Sequence, residues 1–367
     1  MSRPRAPLEV IVFVVGAASL GAEIAAARLI APYFGASTIV WANTIATVLV
    51  ALSVGYWVGG RLADREPTLA GLSRLVLGAA VLLAGVPFAA GPFLRASVDA
   101  LAAISVGAFV GSLLAVLALV AVPVLLLGAV APYAVRLSVR RVEESGRVTG
   151  RLYAISTLGS LVGTFASALA LIPLVGTRRT FLAFALALAV VAAPGLRRRF
   201  ALAPLAVGAL LAIPVGAVKG ADGRVIWERE TPYQYARVVQ DAAGTRRLEL
   251  NEGRAVHSLY RPGSYLTDDY WDAFLVLPLA ARRAPPARIA ILGNAAGTTA
   301  RAYGHYFPAT RIDAVEIDGA LTDVGRRLFD LHAPRLRTHT ADARPYLQST
   351  HRRFDAIFVD AYRQPYI

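Results

Sequence analysis

Long apolar stretches fill most of the first 218 residues and constrain this chain more than any other feature. They run over 8–30, 39–59, 75–94, 101–131, 152–175, 180–195 and 201–218. A helix that crosses the hydrocarbon core of a bilayer needs about 20 apolar residues. The pattern therefore predicts a multi-pass α-helical membrane domain over 1–218 with about seven spans, give or take one. The first run follows Arg3 and Arg5 but is longer than a signal core and leads into further spans, so it reads as a retained helix. The fourth is over-long, and Pro123 is expected to kink it. Hydrophobic residues make up 56% of the chain and charged ones 17%, against about 25% charged in ordinary globular domains. A purely cytosolic protein is excluded.

The net charge of +14 raises nucleic acid as a partner, but its placement argues for a lipid bilayer instead. Arginines gather in the gaps between apolar runs: Arg61, Arg65 and Arg74, then Arg136, Arg140, Arg141, Arg147 and Arg151, then Arg197, Arg198 and Arg199. That is how topology-setting charge is distributed, and no basic stripe interleaves with aromatics. The expected location is the cell (inner) membrane, with the N-terminus and these gaps on the cytoplasmic side. Seven spans would leave residues 222–367 outside, which conflicts with the cytosolic nucleoside argued below. The chemistry outweighs the count, and a cytoplasmic C-terminal domain is expected.

Two absences prune the chemistry. The chain has no cysteine, which removes thiolate catalysis, disulfides and cysteine-ligated metal. Its one lysine, Lys219, borders an apolar run, so Schiff-base chemistry and a Walker-type phosphate loop have no residue to use. No metal site is expected. In the apolar half, Glu23 with Arg28 reads equally as a substrate path or as a bundle-facing acid with a snorkelling arginine. Gly60-Arg61-Leu62-Ala63-Asp64-Arg65 resembles the loop between helices two and three of major-facilitator transporters, where Asp64 and the arginines would latch helix ends. Gly159, Ser160, Gly163 and Thr164 suit close helix packing.

After Gly223 the period changes. Residues 225–228, 236–241 and 246–251 read as short strands, with a hairpin turn at 242–245. A helix is expected over 270–281, closing a small β subdomain with its linking helix over 222–281. Strand and helix signals then alternate over 285–367: strand 288–292, the turn Gly293-Asn294-Ala295-Ala296-Gly297-Thr298, a helix to about Tyr306, strand 311–315, helix 320–331, strand 337–340 and strand 354–359. This is a Rossmann-like, methyltransferase-type α/β pattern whose first turn marks a nucleotide-binding crossover. Glu316, Asp342 and Asp360 each fall just past a strand, where open α/β sheets bind ligands, and Glu316 has the spacing of an acid that takes ribose hydroxyls. Asp313 and Asp318 read as caps or solvated turn residues.

The ordered motifs Trp227-Glu228-Arg229-Glu230-Thr231-Pro232-Tyr233-Gln234, the helix beginning Tyr270-Trp271-Asp272-Ala273-Phe274, Val315-Glu316-Ile317-Asp318, Asp342-Ala343 and Asp355-Ala356-Ile357-Phe358-Val359-Asp360 resemble spermidine synthases. With the apolar half attached, the whole resembles the membrane-fused spermidine synthase-like proteins. The resemblance implies an aminopropyltransferase that uses decarboxylated S-adenosylmethionine as co-substrate, with no tightly bound cofactor. Its acceptor would be an amine or polyamine, and a homodimer is one assembly it leaves open. Glu316 would hold the ribose hydroxyls and Asp342 the adenine amino group. Gln234 would line the nucleoside pocket, and Gly293 and Gly297 would let backbone approach the ligand. Asp360 would bind and help deprotonate the attacking amine, with Tyr270, Asp272 and Arg363 on the acceptor side.

Three positions depart from that family. Ala296 stands where the family's turn carries an Asp near the propylamine, Arg363 where it carries a second acceptor-side Asp, and Asp272 where it usually has Glu. Losing two anions and gaining a cation disfavours a dicationic acceptor such as putrescine. The sequence stops at Ile367, directly after the fourth strand of a fold that continues in the family, so C-terminal strands are expected to be missing. Two other readings stand beside the enzyme: a transporter or membrane sensor with a non-catalytic nucleoside- or polyamine-binding domain, and a methyltransferase using S-adenosylmethionine itself.

Overall fold

The computed structural model describes the chain except residues 1–5, 36, 104–107, 197–199, 201, 214–220, 252–254, 283 and 362–367. It divides into two compact units, Met1–Lys219 and Gly220–Ile367.

The first unit is all helix: α1 (Ala6–Phe34), α2 (Thr38–Arg65), α3 (Leu69–Ala103), α4 (Ala108–Val116), α5 (Val122–Ser138), α6 (Ser145–Phe165), α7 (Ile172–Val175), α8 (Thr177–Ala192) and α9 (Ala203–Leu210). Wide π turns at Leu117–Ala121 and Ala166–Leu171 join α4 to α5 and α6 to α7. Each precedes a proline, Pro123 or Pro173, whose ring and missing N–H disturb the bonding of the turn before it. From Ala108 onward the fourth apolar run is thus one continuous helix with a local widening.

Among the described residues six helices are long and apolar enough to cross a membrane, within the expected seven give or take one. The run over 201–218 yields only the eight-residue α9 followed by a turn. At 1.5 Å per residue α9 reaches about 12 Å, well short of the roughly 30 Å of a hydrocarbon core. The remainder of that run lies outside the described residues.

Glycine sets the closest packing in this unit. A Cβ at Gly159 or Gly163 of α6 would lie 2.1 or 2.0 Å from the carbonyl oxygen of Phe13 or Ala17 on α1. Gly55 and Gly59 of α2 approach Leu125 and Ala129 of α5 in the same way, so these helix pairs meet backbone to backbone. The Ser160 hydroxyl donates to Gly16 O at 3.2 Å. Residues 60–65 form the last turn of α2 rather than a loop, and Asp64 pairs there with Arg136 of α5 at 3.1 Å. Glu23 and Arg28 are both half-buried on α1.

The second unit begins with an antiparallel sheet of β1 (Arg224–Glu230), β2 (Tyr235–Gln240), β3 (Arg246–Leu250) and β4 (Val256–Tyr260), paired in sequence order. The turn between β2 and β3 is the expected hairpin, with Gly244 at φ 84° and the Asp241 carboxylate accepting from Thr245 N. Helix α10 (Tyr270–Arg282) follows, then β5 (Arg288–Leu292), α11 (Thr298–Tyr306), β6 (Arg311–Glu316), α12 (Gly319–Leu328), β7 (Leu336–Thr340), α13 (Ala343–Ser349) and β8 (Ala356–Val359). The last four strands make a parallel sheet in the order β7-β6-β5-β8. The chain steps outward from β5 to β7 and then returns to the other side of β5, so the order reverses between β5 and β8. Strand β4 and helix α13 are additions to the elements read from sequence.

Both faces of the parallel sheet are packed. Ile289, Ile291, Ile312, Ala314 and Phe358 join Leu275, Ala300 and Tyr303 on one side, and Ala290, Leu292 and Val315 meet α13 on the other. A further cluster unites Ala236, Val238 and Leu248 of the antiparallel sheet with Ala295, Ala296, Leu321, Val324 and Phe329. The small β subdomain and the Rossmann-like part therefore share a core within one unit.

Candidate functional site

The site forms where parallel strands end and small residues let the chain turn. Leaving β5, Gly293 takes φ 86°, and a Cβ there would sit 2.6 Å from Asp360 O. Only glycine allows the turn and the segment after β8 to lie so close. Gly297 takes φ 92° at the start of α11, and its close neighbour is Leu331. Both glycines are thus demanded by contacts inside the protein, in addition to whatever approach they permit to a ligand.

Three groups hold the turn. Glu316 at the end of β6 is 7% exposed; its Oε2 accepts from Ala295 N at 2.8 Å and its Oε1 from Asp318 N at 3.0 Å. Ile317 adds a further backbone bond to the carboxylate, whose roughly four lone-pair sites leave room for another donor. Burial raises the Glu316 pKa above the ordinary carboxylate value, against the opposing effect of these backbone donors. From β4, Ser258 Oγ accepts from Ala296 N at 2.9 Å, and Leu259 N donates to Thr298 Oγ1 at 2.8 Å. Ser258 escaped the sequence reading because β4 lacks the alternating apolar pattern of a strand: its buried position is a serine.

Asp318 caps α12 through Ala320 N, as expected, and also accepts from the Thr231 hydroxyl at 2.6 Å. Thr231 Oγ1 in turn receives Tyr233 N and Gln234 N. This ties the backbone of Gln234, the predicted nucleoside-lining residue, to the segment following Glu316.

Asp360 continues the β8 ladder, its N–H donating to Leu292 O at 2.8 Å. Its carboxylate accepts from the Tyr270 hydroxyl at 2.9 Å and from Trp271 Nε1 at 3.0 Å, both from the first turn of α10. Burial raises its pKa, while those two donors pull the other way. Tyr270 was among the predicted residues. Trp271, 3% exposed, was missed in that role because a buried tryptophan reads first as packing.

Two expected residues make local bonds, and one lies outside the described residues. Asp272 turns back into the loop before α10, taking Thr267 N, the Thr267 hydroxyl and Asp268 N at 2.8–3.1 Å. These bonds occupy both oxygens, so Asp272 organises the helix start instead of facing an acceptor. Asp342 caps α13 through Arg344 N at 2.8 Å and is exposed beside the end of β7; a cap leaves its other oxygen available. Arg363 lies outside the described residues. Asp313 is neither cap nor turn residue: it is buried in mid-β6 and paired with His339 at 2.9 Å and with Arg352.

Ala296 is fully buried in the apolar cluster that joins the two sheets. Asn294, by contrast, is 5% exposed with no hydrogen-bond partner on either amide atom. Among the described residues no group of three or more His, Asp or Glu is placed to hold a metal ion.

No family model matches the chain. A curated relative from Bifidobacterium longum, named a probable polyamine aminopropyl transferase, is 32% identical over 162 residues, covering 43% of this chain and 36% of its own length. The polyamine aminopropyltransferase 2 of Ralstonia nicotianae is 28% identical over 385 residues, covering 98% of this chain and 72% of its own. The chain thus spans about a third of one relative and nearly three quarters of the other. A solved structure of a probable spermidine synthase from Corynebacterium glutamicum aligns over 35% of this chain and 48% of that one, with 23% identity and a TM-score of 0.29.

Proposed function

We propose that this protein transfers an aminopropyl group from decarboxylated S-adenosylmethionine to an amine, at the strand ends of its α/β unit. The observation that carries the reading is Asp360: a half-buried carboxylate at the reversal of strand order, held by Tyr270 and Trp271, with its backbone against the Gly293 turn. Ligands of open α/β sheets bind at that reversal. The names of the curated relatives point to the same reaction.

The chemistry asks little beyond placement. The sulfonium already activates the propyl carbon, so a neutral amine nitrogen forms the new C–N bond as the C–S bond breaks in line, and the electron pair leaves on sulfur as methylthioadenosine. Alignment supplies the main acceleration. Asp360 holds the incoming ammonium and takes the proton that the nitrogen gives up. Its raised pKa brings it nearer to the amine's and makes that proton transfer less uphill. Glu316 would receive the ribose hydroxyls with its remaining acceptor capacity, Gln234 would line the nucleoside, and Asp342 would take the adenine amino group.

The six long apolar helices are proposed to span a cell membrane. An even number returns the chain to the side where it started, so the arginine-bearing gaps, the N-terminus and the α/β unit share the cytoplasmic side. A reporter fused to the C-terminus and active only on the outer side refutes this arrangement.

The test of the reaction is incubation of the full chain with decarboxylated S-adenosylmethionine and a panel of mono- and diamines, reading methylthioadenosine release and the mass of the product. Nucleoside binding without release for any amine overturns the transferase reading.

A further inference from the structure

The turn after β5 carries a polar side chain that nothing described so far uses. Asn294 is 5% exposed, and both its Nδ2 and its Oδ1 lack a hydrogen-bond partner. Leaving a buried amide unpaired is costly, and such groups in folded proteins are few. Its backbone is well fixed: Asn294 N donates to Val315 O at 3.1 Å, and Asn294 O receives Gly297 N at 2.8 Å. Its neighbours on either side are Gly293, packed against Asp360, and Ala295, whose N–H is held by Glu316. Asn294 thus stands in the turn between the two acids.

We infer that the Asn294 carboxamide is a recognition group of the nucleoside site, pairing with a ribose hydroxyl. This rests on the nucleoside reading above. The match is chemical: a hydroxyl donates and accepts at once, as a carboxamide does, and both partners are neutral. A carboxylate such as Glu316 only accepts, so acid and amide together serve a diol better than two acids would. The assignment also explains why a residue costly to bury occupies a turn otherwise made of glycine and alanine.

The test uses the full chain, wild type and Asn294→Ala, with 5′-methylthioadenosine and its 2′,3′-dideoxy counterpart as probes in calorimetry, and thermal melting of the unliganded protein. Asn294 is not among the residues with positive φ, so alanine introduces no backbone strain. The inference expects Asn294→Ala to weaken methylthioadenosine about tenfold, the loss of one or two hydrogen bonds, and the dideoxy compound distinctly less, with an unliganded melting temperature no lower than wild type. Affinity within threefold of wild type overturns the inference and leaves the nucleoside reading standing. Equal weakening of both probes with a lowered melting temperature makes Asn294 structural and also overturns it. Wild type that binds neither probe removes the nucleoside reading and this inference together.

Discussion

In the helical unit, several hydroxyls find partners within their own helix, although Ser160 and Ser167 reach across to α1. Ser19, Thr44, Thr164 and Thr180 each donate to the carbonyl four residues back, and contacts between α1 and α6 come from glycine against backbone. In the α/β unit the deciding bonds join residues far apart: Tyr270 and Trp271 to Asp360, Thr231 to Asp318, Ser258 to Ala296. The first pattern satisfies these hydroxyls within their own helix and needs no defined ligand. The second draws polar groups from several elements to one sheet edge and fixes their geometry. That contrast is why chemistry is assigned to the second unit.

The sharpest break of that assignment is at Asp360. Asp360→Asn should lower transfer by about 10²–10⁴-fold, the range for losing a positioned acid–base group, while nucleoside affinity stays near wild type. The amide neither neutralises an ammonium nor takes its proton. Parallel loss of nucleoside affinity would move Asp360 from the acceptor to the nucleoside side.

A second change addresses the helical unit. Gly163→Leu places side-chain atoms where a Cβ alone would lie 2.0 Å from Ala17 O. Forcing α1 and α6 apart should cost about 3 kcal/mol or more, at the upper end for overpacking, seen as a lowered melting temperature in detergent. Calorimetry with methylthioadenosine should show nucleoside binding retained wherever the α/β unit remains folded. Retained stability would mean that the glycine contacts do not hold the pair.

Glu316→Gln comes next. It keeps the shape but replaces one acceptor oxygen with a donor, facing Ala295 N or Asp318 N at one end and the ribose at the other. Nucleoside binding should weaken by about 1.5–3 kcal/mol, the range for hydrogen bonds to charged groups, read by calorimetry. An unchanged affinity removes Glu316 from the site.

Which parts of this were legible beforehand follows from what each residue is paired with. Strand β5 is read with its true bounds because four apolar residues, 289–292, end at a glycine turn. Glu316 and Asp360 stand out because an acid ending an apolar strand has no packing reason to be there. Asp272 misleads for the same reason: its type suits an acceptor site, but its partners, Thr267 and Asp268, are loop residues whose conformation no periodicity reveals. Strand β4 and Trp271 are hidden because their roles lie in single polar atoms on otherwise ordinary residues. In the described part of the seventh apolar run, α9 carries Pro204 in its first turn and a turn follows it, a helix length that hydropathy, which measures composition, does not report.

The smallest expected effect, at Tyr270, refines how the site tunes its base. Among the described residues Asp360 has two side-chain donors, Tyr270 and Trp271, and each favours the charged carboxylate; burial opposes them and the net shift is upward. A raised pKa means that the ionised form, which the ammonium needs, is present above that pKa and is lost as pH falls through it. The acid limb of kcat/KM should therefore lie above the ordinary carboxylate range. Tyr270→Phe removes one donor, so the carboxylate loses support and the limb should move to still higher pH. Tyr270 is 39% exposed, so water replaces part of what is lost, and the plateau rate should fall by less than about tenfold. Trp271→Phe removes the other donor but also opens space in the core, which makes the tyrosine variant the cleaner probe. A pH–rate profile of Tyr270→Phe whose acid limb stays in place or moves down would show that the titrating group is not Asp360, and the base would have to be sought elsewhere along the strand ends.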